Sequence, residues 1–272
     1  NTNQGTSTVA IGNNAGVTLQ GNNSVAIGSN TGVTSQGTNS TAIGIQAGQT
    51  SQGSSSVAIG YAAGNSSQGN NSVAIGVNAG NNAQGINTTA IGSGAGNTSQ
   101  GSYAVAVGNN TGSTSQGNYA VAIGYLTGNN LQGNNSVAIG IQAGNNLQGT
   151  YAVAIGNNTG NTSQGSNAIA MGYNAAQSYQ GSNAVAMGYY AGNTSQGSYA
   201  IAIGNNAGQS GQHQNSIILN ANSVALNSGT AGAFYVNPVR NVTQANILGY
   251  DTTAKEVTYF SLSNITTTNL VA

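Results

Sequence analysis

The sequence predicts an all-β protein: a parallel β-solenoid, or β-roll, whose coils are sixteen residues long. Three observations predict this fold, namely a strict sixteen-residue repeat, short stretches in which β-branched and small residues alternate, and glycine at fixed places between them. From Gly5 to Gln212 the chain consists of thirteen consecutive units without insertion or deletion. We therefore expect each unit to form one coil, with equivalent residues of successive coils stacked on one another.

The clearest strand lies at positions five to seven of each unit, as in Val25, Ala26 and Ile27. Alternation of this kind is typical of a strand, in which successive side chains point to opposite faces. We expect the large residues at positions five and seven to supply the apolar core. Alanine at position six and Ser, Thr or Ala at position four would form the outward face. Because one coil buries little apolar area and small outward residues allow close approach, we expect lateral association into a symmetric homo-oligomer.

Glycine marks the corners of each coil. It occupies positions one and eight in all thirteen units and position twelve in twelve of them, where Ala176 is the exception. Glycine adopts positive φ angles and permits close backbone approach, as tight corners require, and its frequency disfavours helix. The repeats thus predict short strands joined by glycine corners.

Glutamine ends every unit, at position sixteen. Stacked amides can hydrogen-bond along the axis of a solenoid, so the column is a candidate structural ladder. Alternatively, each glutamine satisfies backbone groups at a corner, and the sequence leaves both interpretations open. The residues are Gln20, Gln36, Gln52, Gln68, Gln84, Gln100, Gln116, Gln132, Gln148, Gln164, Gln180, Gln196 and Gln212.

Charge is almost absent from the chain, and this excludes several function classes. The four charged residues are Arg240, Asp251, Lys255 and Glu256, and His213 is the single histidine. General acid–base catalysis, carboxylate metal sites and nucleic-acid binding all need charged or titratable groups that the repeats lack. No apolar run is long enough to span a bilayer. We expect no enzymatic activity, no cofactor or metal, no nucleic-acid partner and no membrane insertion.

Position nine follows a glycine corner and varies from unit to unit, as recognition surfaces of solenoids do. Tyrosine occupies it at Tyr61, Tyr125, Tyr173 and Tyr189, and Tyr190 follows the last of these. Tyrosine beside asparagine or glutamine can stack on a sugar ring and bond its hydroxyls, so these five residues are candidates for receptor or glycan contact. The alternative is that they are half-buried between subunits.

The repeats resemble a known family. The sequence NSVAIG occurs at Asn23–Gly28, Asn71–Gly76 and Asn135–Gly140, with close variants in the other units over residues 5–212. This pattern resembles the head domain of YadA-type trimeric autotransporter adhesins. The resemblance implies a homotrimer of left-handed parallel β-rolls.

The pattern changes after Gln212, which predicts three regions. Residues 1–212 form the β-roll, in which Asn1–Gln4 fits the last four positions of a preceding unit. Residues 213–228 form a degenerate capping coil, and residues 229–272 a small C-terminal β domain.

The C-terminal region carries a second resemblance. FYVNPVR at Phe234–Arg240 and LGYDTTAKEVTY at Leu248–Tyr259 are similar to segments near the ends of bacteriophage tail-fibre and giant-virus fibre proteins. This similarity implies a trimeric virion fibre. Taken alone, the segment predicts two short strands around a turn at Asp251–Lys255.

We expect a non-enzymatic structural and attachment protein outside the cell. The first hypothesis is a rigid homotrimeric rod that projects from a virion, with receptor or glycan contact at its corners. The alternative is a bacterial surface adhesin head, or the subunit of an extracellular filament that assembles end to end. A third hypothesis is an ice-binding solenoid, because threonine recurs at position fourteen, as in Thr18 and Thr34, although Ser66 and Asn82 interrupt the row.

Overall fold

A computed structural model of the chain describes residues 2–241 and 246–261. These residues form strands and turns and contain no helix, so none of them belongs to a helix that could cross a membrane. The chain divides into two compact units, the first ending at Asn237 and the second beginning at Pro238. The all-β class predicted from the sequence is confirmed.

Thirty strands follow one another along the chain. They are β1 (Thr2–Gln4), β2 (Val9–Ile11), β3 (Thr18–Gln20), β4 (Val25–Ile27), β5 (Thr34–Gln36), β6 (Thr41–Ile43), β7 (Thr50–Gln52), β8 (Val57–Ile59), β9 (Ser66–Gln68), β10 (Val73–Ile75), β11 (Asn82–Gln84), β12 (Thr89–Ile91), β13 (Thr98–Gln100), β14 (Val105–Asn109), β15 (Thr114–Gln116), β16 (Val121–Tyr125), β17 (Asn130–Gln132), β18 (Val137–Ile141), β19 (Asn146–Gln148), β20 (Val153–Ile155), β21 (Thr162–Gln164), β22 (Ile169–Met171), β23 (Ser178–Gln180), β24 (Val185–Met187), β25 (Thr194–Gln196), β26 (Ile201–Gly204), β27 (Ile217–Asn220), β28 (Phe234–Asn237), β29 (Asn246–Asp251) and β30 (Glu256–Ser261).

The first 28 strands build two parallel sheets of a solenoid. The odd-numbered strands from β1 to β25 form a 13-stranded sheet, and the even-numbered strands from β2 to β26, followed by β27 and β28, form a 15-stranded sheet. Up to β27 the strands pair with a constant offset of sixteen residues, so that Gln20 faces Gln36 and Ala26 faces Ala42, and β28 pairs with β27 at an offset of seventeen. The coil length and register predicted from the repeat are therefore confirmed.

The two faces of the position-five-to-seven strand lie the opposite way round from the arrangement predicted from the sequence. Alanine at position six is the inward residue: Ala122 is fully buried, whereas Val121 and Ile123 lie on the outer surface. The physical reason is the small width of the coil. A Cβ added at Gly128 would lie 2.7 Å from the amide oxygen of Gln132 and 3.2 Å from the Cβ of Ala122. A valine or isoleucine side chain has no room between these groups.

Small side chains and glutamine fill the interior of each coil. From the second unit onward, alanine at position six, alanine or threonine at position eleven, small residues at position four and glutamine at position sixteen are buried in stacked columns. The buried hydroxyls find backbone acceptors: Thr111 Oγ1 donates to the carbonyl of Gly124 at 2.9 Å, and Ser136 Oγ donates to that of Gly133 at 2.6 Å. The core consequently contains few large apolar groups and depends on close packing and hydrogen bonds.

The corners require unusual backbone conformations. Positions three, ten and fifteen adopt positive φ although, apart from Gly94, they carry no glycine, as at Asn23 (54°), Asn30 (53°) and Ser35 (53°). Asparagine is common at two of these positions because its short amide side chain tolerates the left-handed region. Glycine at position one is needed for a different reason, since a Cβ on Gly101 would lie 2.5 Å from the carbonyl carbon of Gly117 in the next coil.

The sheet of the solenoid continues past residue 229, where the sequence analysis placed the start of the C-terminal domain, because β28 pairs in parallel with β27. In the second unit, β29 and β30 form the antiparallel hairpin expected around Asp251. Asp251 Oδ1 accepts hydrogen bonds from the backbone amides of Ala254 and Thr253, and these bonds lower the pKa of the carboxyl group.

Candidate functional site: an outward apolar stripe and a tyrosine corner

The outward residues of the 15-stranded sheet form a continuous surface that we call the apolar stripe. It comprises positions five and seven of each repeat and the equivalent residues of β27 and β28. Its residues are Val9, Ile11, Val25, Ile27, Thr41, Ile43, Val57, Ile59, Val73, Ile75, Thr89, Ile91, Val105, Val107, Val121, Ile123, Val137, Ile139, Val153, Ile155, Ile169, Met171, Val185, Met187, Ile201, Ile203, Ile217, Leu219, Phe234 and Val236.

Stacking makes the stripe long and almost unbroken. Parallel strands lie about 4.8 Å apart, so fifteen rungs extend over roughly 70 Å. Threonine replaces an aliphatic residue at Thr41 and Thr89 alone. Every rung is half-buried or exposed, and the exposed fraction reaches 57 % at Phe234 and 59 % at Ile11. A contiguous apolar surface of this size is typical of a protein interaction site.

The capping coil extends the stripe. In the register of the sheet, Ile217 follows Ile201 and Phe234 follows Ile217, and all three face outward. Although the repeat has ended, the outward positions therefore remain apolar.

The glutamine column lies inside the coil, where each side chain from Gln20 onward is 2–3 % exposed. Gln116 is representative: its Nε2 donates to the carbonyls of Val105 at 2.9 Å and Ala120 at 3.4 Å, and to Oε1 of Gln132 at 3.1 Å. One amide group thus joins the two sheets across the coil and contacts the next amide along the axis.

Contacts between successive glutamine amides occur in part of the column. They link Gln84 to Gln100, Gln116 to Gln132, and each glutamine to the next from Gln148 to Gln212. Bonds to backbone carbonyls occur at every repeat glutamine, for example from Gln36 to Val25 at 2.8 Å. Oε1 of Gln20, Gln36 and Gln52 has no donor among the described residues. The geometry therefore contains both kinds of bond, with backbone bonds the more regular.

The repeats are similar to those of a known protein family. A sequence model described as the YadA head domain repeat (two copies) matches residues 4–31, 35–63, 67–95, 99–127 and 148–175, more than half of the chain. The chain belongs to the YadA head repeat family. No curated protein and no solved structure matches it. The C-terminal region lies outside the matched stretches, so its similarity to virion fibres stays a prediction.

Membership of the YadA head repeat family makes this chain an adhesin-like structural protein. The YadA-type repeat accounts for the strands and their stacking. The corner residues at position nine, in contrast, vary from one unit of the chain to the next.

The structure brings together three of the five candidate tyrosines of this YadA-type head. The rings of Tyr173 and Tyr189 stack with centroids 5.4 Å apart and 12° between their planes, and Tyr190 meets Tyr189 edge-on at 4.6 Å. Tyr61 and Tyr125 are also exposed, but each lies on a coil whose neighbours carry no tyrosine at position nine. The sequence pattern had ranked all five alike.

His213 forms no metal or catalytic group in the described part of the chain. Its Nδ1 lies 3.0 Å from the Ser228 hydroxyl, and its backbone amide donates to the same oxygen at 2.8 Å. No cluster of three His, Cys, Asp or Glu residues occurs within residues 2–241 and 246–261.

The apolar stripe was not predicted from the sequence, although the repeats contain a pattern that indicates it. Position six is alanine in all thirteen units, whereas positions five and seven vary among Val, Ile, Thr and Met. Strict invariance among repeats of one chain indicates the tightly packed side of a strand, and tolerance of different sizes indicates the open side.

Proposed function

We propose that this chain is the head of a surface adhesin, a rod formed by several copies that associate through the apolar stripe. The observation that carries the proposal is the stripe itself. A surface of 28 aliphatic or aromatic residues and two threonines exposed on a single chain is costly in water, and burial against other copies removes it from solvent. YadA heads are homotrimers, which favours three copies around a common axis.

The face that supports association differs from the one inferred from the sequence. Small outward alanines are absent from the strand, so close backbone approach between chains is not the basis of this proposal. Instead, Val and Ile side chains of one copy would pack on those of another, as at the apolar core of an obligate interface.

The bacterial adhesin alternative fits the family match better than the virion fibre does. The virion hypothesis depends on the similarity of the C-terminal region alone, which no comparison supports. Cell-surface location, contact with a host receptor and end-to-end filament assembly stay predictions, as does the ice-binding hypothesis.

The test is a pair of matched double variants. Val105→Asp with Val137→Asp places two carboxylates on the apolar stripe, whereas Ser102→Asp with Asn134→Asp places the same charges at position two of the same two coils, where Ser102 is half-buried and Asn134 exposed. Burying unpaired charge is strongly unfavourable, so the stripe variant should dissociate to the 26.6 kDa chain mass, and the corner variant should keep the wild-type mass.

Sedimentation velocity gives the mass, and circular dichroism checks that both variants stay folded. Association through an uncharged stripe should also be nearly insensitive to salt. A folded stripe variant that retains the wild-type mass would contradict the proposed interface.

A further inference from the structure

We propose that the corner formed by Tyr173, Tyr189 and Tyr190 binds a neutral carbohydrate. This inference deepens the proposed attachment function, on which it rests, by naming a ligand class and a site. We call these three residues the tyrosine corner.

The tyrosine corner is an exposed aromatic platform. Tyr173 and Tyr189 project at position nine of adjacent coils, where they are 46 % and 53 % exposed. Their parallel stack and the edge contact of Tyr190 hold the rings against one another, so that binding costs little ordering of the side chains. Aromatic faces presented in this way can stack against the C–H face of a pyranose ring.

Asparagine borders the platform on both sides. Position nine is Asn157 in the preceding coil and Asn205 in the following one. The outer faces of the Tyr173–Tyr189 stack therefore have no aromatic neighbour in the same column. The side-chain amides of Asn157 and Asn158 make no hydrogen bond to other described residues, which leaves their donors and acceptors free for sugar hydroxyls.

An unpaired acceptor lies within the same corner. Asn174 follows Tyr173 and occupies the position that Tyr190 takes one coil later. It is 5 % exposed, and its Oδ1 has no hydrogen-bond donor among the described residues. An unsatisfied buried acceptor is unfavourable, and because this oxygen is closed to solvent, a ligand hydroxyl would supply the missing donor only once the Asn174 side chain turns outward.

The surroundings select for a ligand without charge. No Lys, Arg, Asp or Glu occurs before Arg240 in the sequence, so the repeats offer no partner for a sulfate or carboxylate on a sugar. Aromatic faces beside uncharged amides match the alternating C–H faces and hydroxyls of neutral β-linked pyranoses. Because several copies would present the corner on one rod, weak single sites would act together on a dense glycan surface.

The experiment uses immobilised cellohexaose and chitohexaose as neutral probes and a heparin hexasaccharide as the charged one. Tyr173→Asn with Tyr189→Asn removes the platform but introduces the residue that position nine already carries in the flanking coils, so the coil should fold. Tyr61→Asn with Tyr125→Asn is the matched control on coils without a tyrosine pair. Light scattering of every variant reports the state of association separately.

We expect the wild-type chain to bind at least one neutral hexasaccharide and not the heparin fragment. The platform variant should lose about tenfold in affinity, since two stacking contacts are removed, and the control variant should stay within about twofold. Asn174→Ala should weaken binding less than the platform variant does.

Three outcomes would overturn the proposal: no neutral sugar bound by the wild type, equal binding by the platform and wild-type chains, or a platform variant that loses association. The last would show that the tyrosines serve subunit packing. If sugar binding fails while association is unchanged, the sugar site is rejected and the proposed adhesin rod is retained. If the wild-type chain is monomeric, the rod is rejected and the sugar site is retained.

Discussion

The repeat coils and the capping coil, residues 213–228, fill the same cross-section with different side chains. In the repeats, alanine at position six lies beside glutamine at position sixteen. In the capping coil, Ile218 takes the place of the alanine and is buried, and no glutamine occurs between Ile218 and β28. Ile218 lies between Ala202 and Tyr235 in the register of the sheet.

This difference indicates that the side chains at positions six and sixteen share one volume inside the coil. A long glutamine that crosses the coil leaves room only for alanine opposite, and where the capping coil has no glutamine the space is filled by isoleucine. The repeats use the volume for hydrogen bonds between sheets, whereas the capping coil uses it for an apolar cluster that includes Leu226 and Tyr235.

The largest loss of stability is expected when a charge is introduced into the glutamine column. Gln116→Glu removes the donors to Val105, Ala120 and Gln132 and buries a carboxylate with no cation nearby. We expect a loss of about 3–5 kcal/mol in the free energy of unfolding of the surrounding coils at neutral pH. Hydrogen exchange of the backbone amides in these coils measures it locally.

This effect should depend on pH in a defined direction. Burial raises the pKa of the introduced carboxyl in the folded state above the unfolded value of about 4.3. The charge penalty is therefore absent below about pH 4 and grows as the pH rises through both values. Gln116→Met, which lacks the charge, should be less destabilised and independent of pH in this range. Equal, pH-independent losses in both variants would contradict burial of this position.

A smaller effect on the free energy of unfolding should come from changing the side chains that fill this shared volume in a repeat coil. Ala122→Ile overpacks a repeat coil and should cost about 1–3 kcal/mol. Adding Gln132→Ser removes the long side chain that fills the space beside position six, so the double variant should be at least about 1 kcal/mol more stable than the sum of the single losses predicts. The same hydrogen-exchange measurement gives all three values, and strictly additive losses would show that the positions do not share a volume.

Much of the fold follows from the repeat. The period of the sequence determines coil length and register, and the glycine positions mark the corners, because both depend on local spacing. The repeat does not show which face of the Val121–Ala122–Ile123 strand is buried, because the alternation of large and small residues is the same in either case. The deciding quantity is the width of the coil, which depends on how corners and both sheets fit together in three dimensions.

The candidate site, too, could be predicted from the sequence only in part. The sequence places tyrosines at a variable corner, but it ranks Tyr61 with Tyr173 and Tyr189. Only the stacking of coils shows which rings meet, and the orphaned oxygen of Asn174 is visible only once its neighbours are in place.

Cysteine cross-linking tests the central claim, that valine and isoleucine face other copies while alanine faces the interior. The chain contains no cysteine, so single variants carry no background. Oxidation of Val121→Cys should yield disulfide-linked chains on a denaturing gel, and folded Ala122→Cys should yield none and resist a maleimide. Cross-links from Ala122→Cys with an unreactive Val121→Cys would contradict the account.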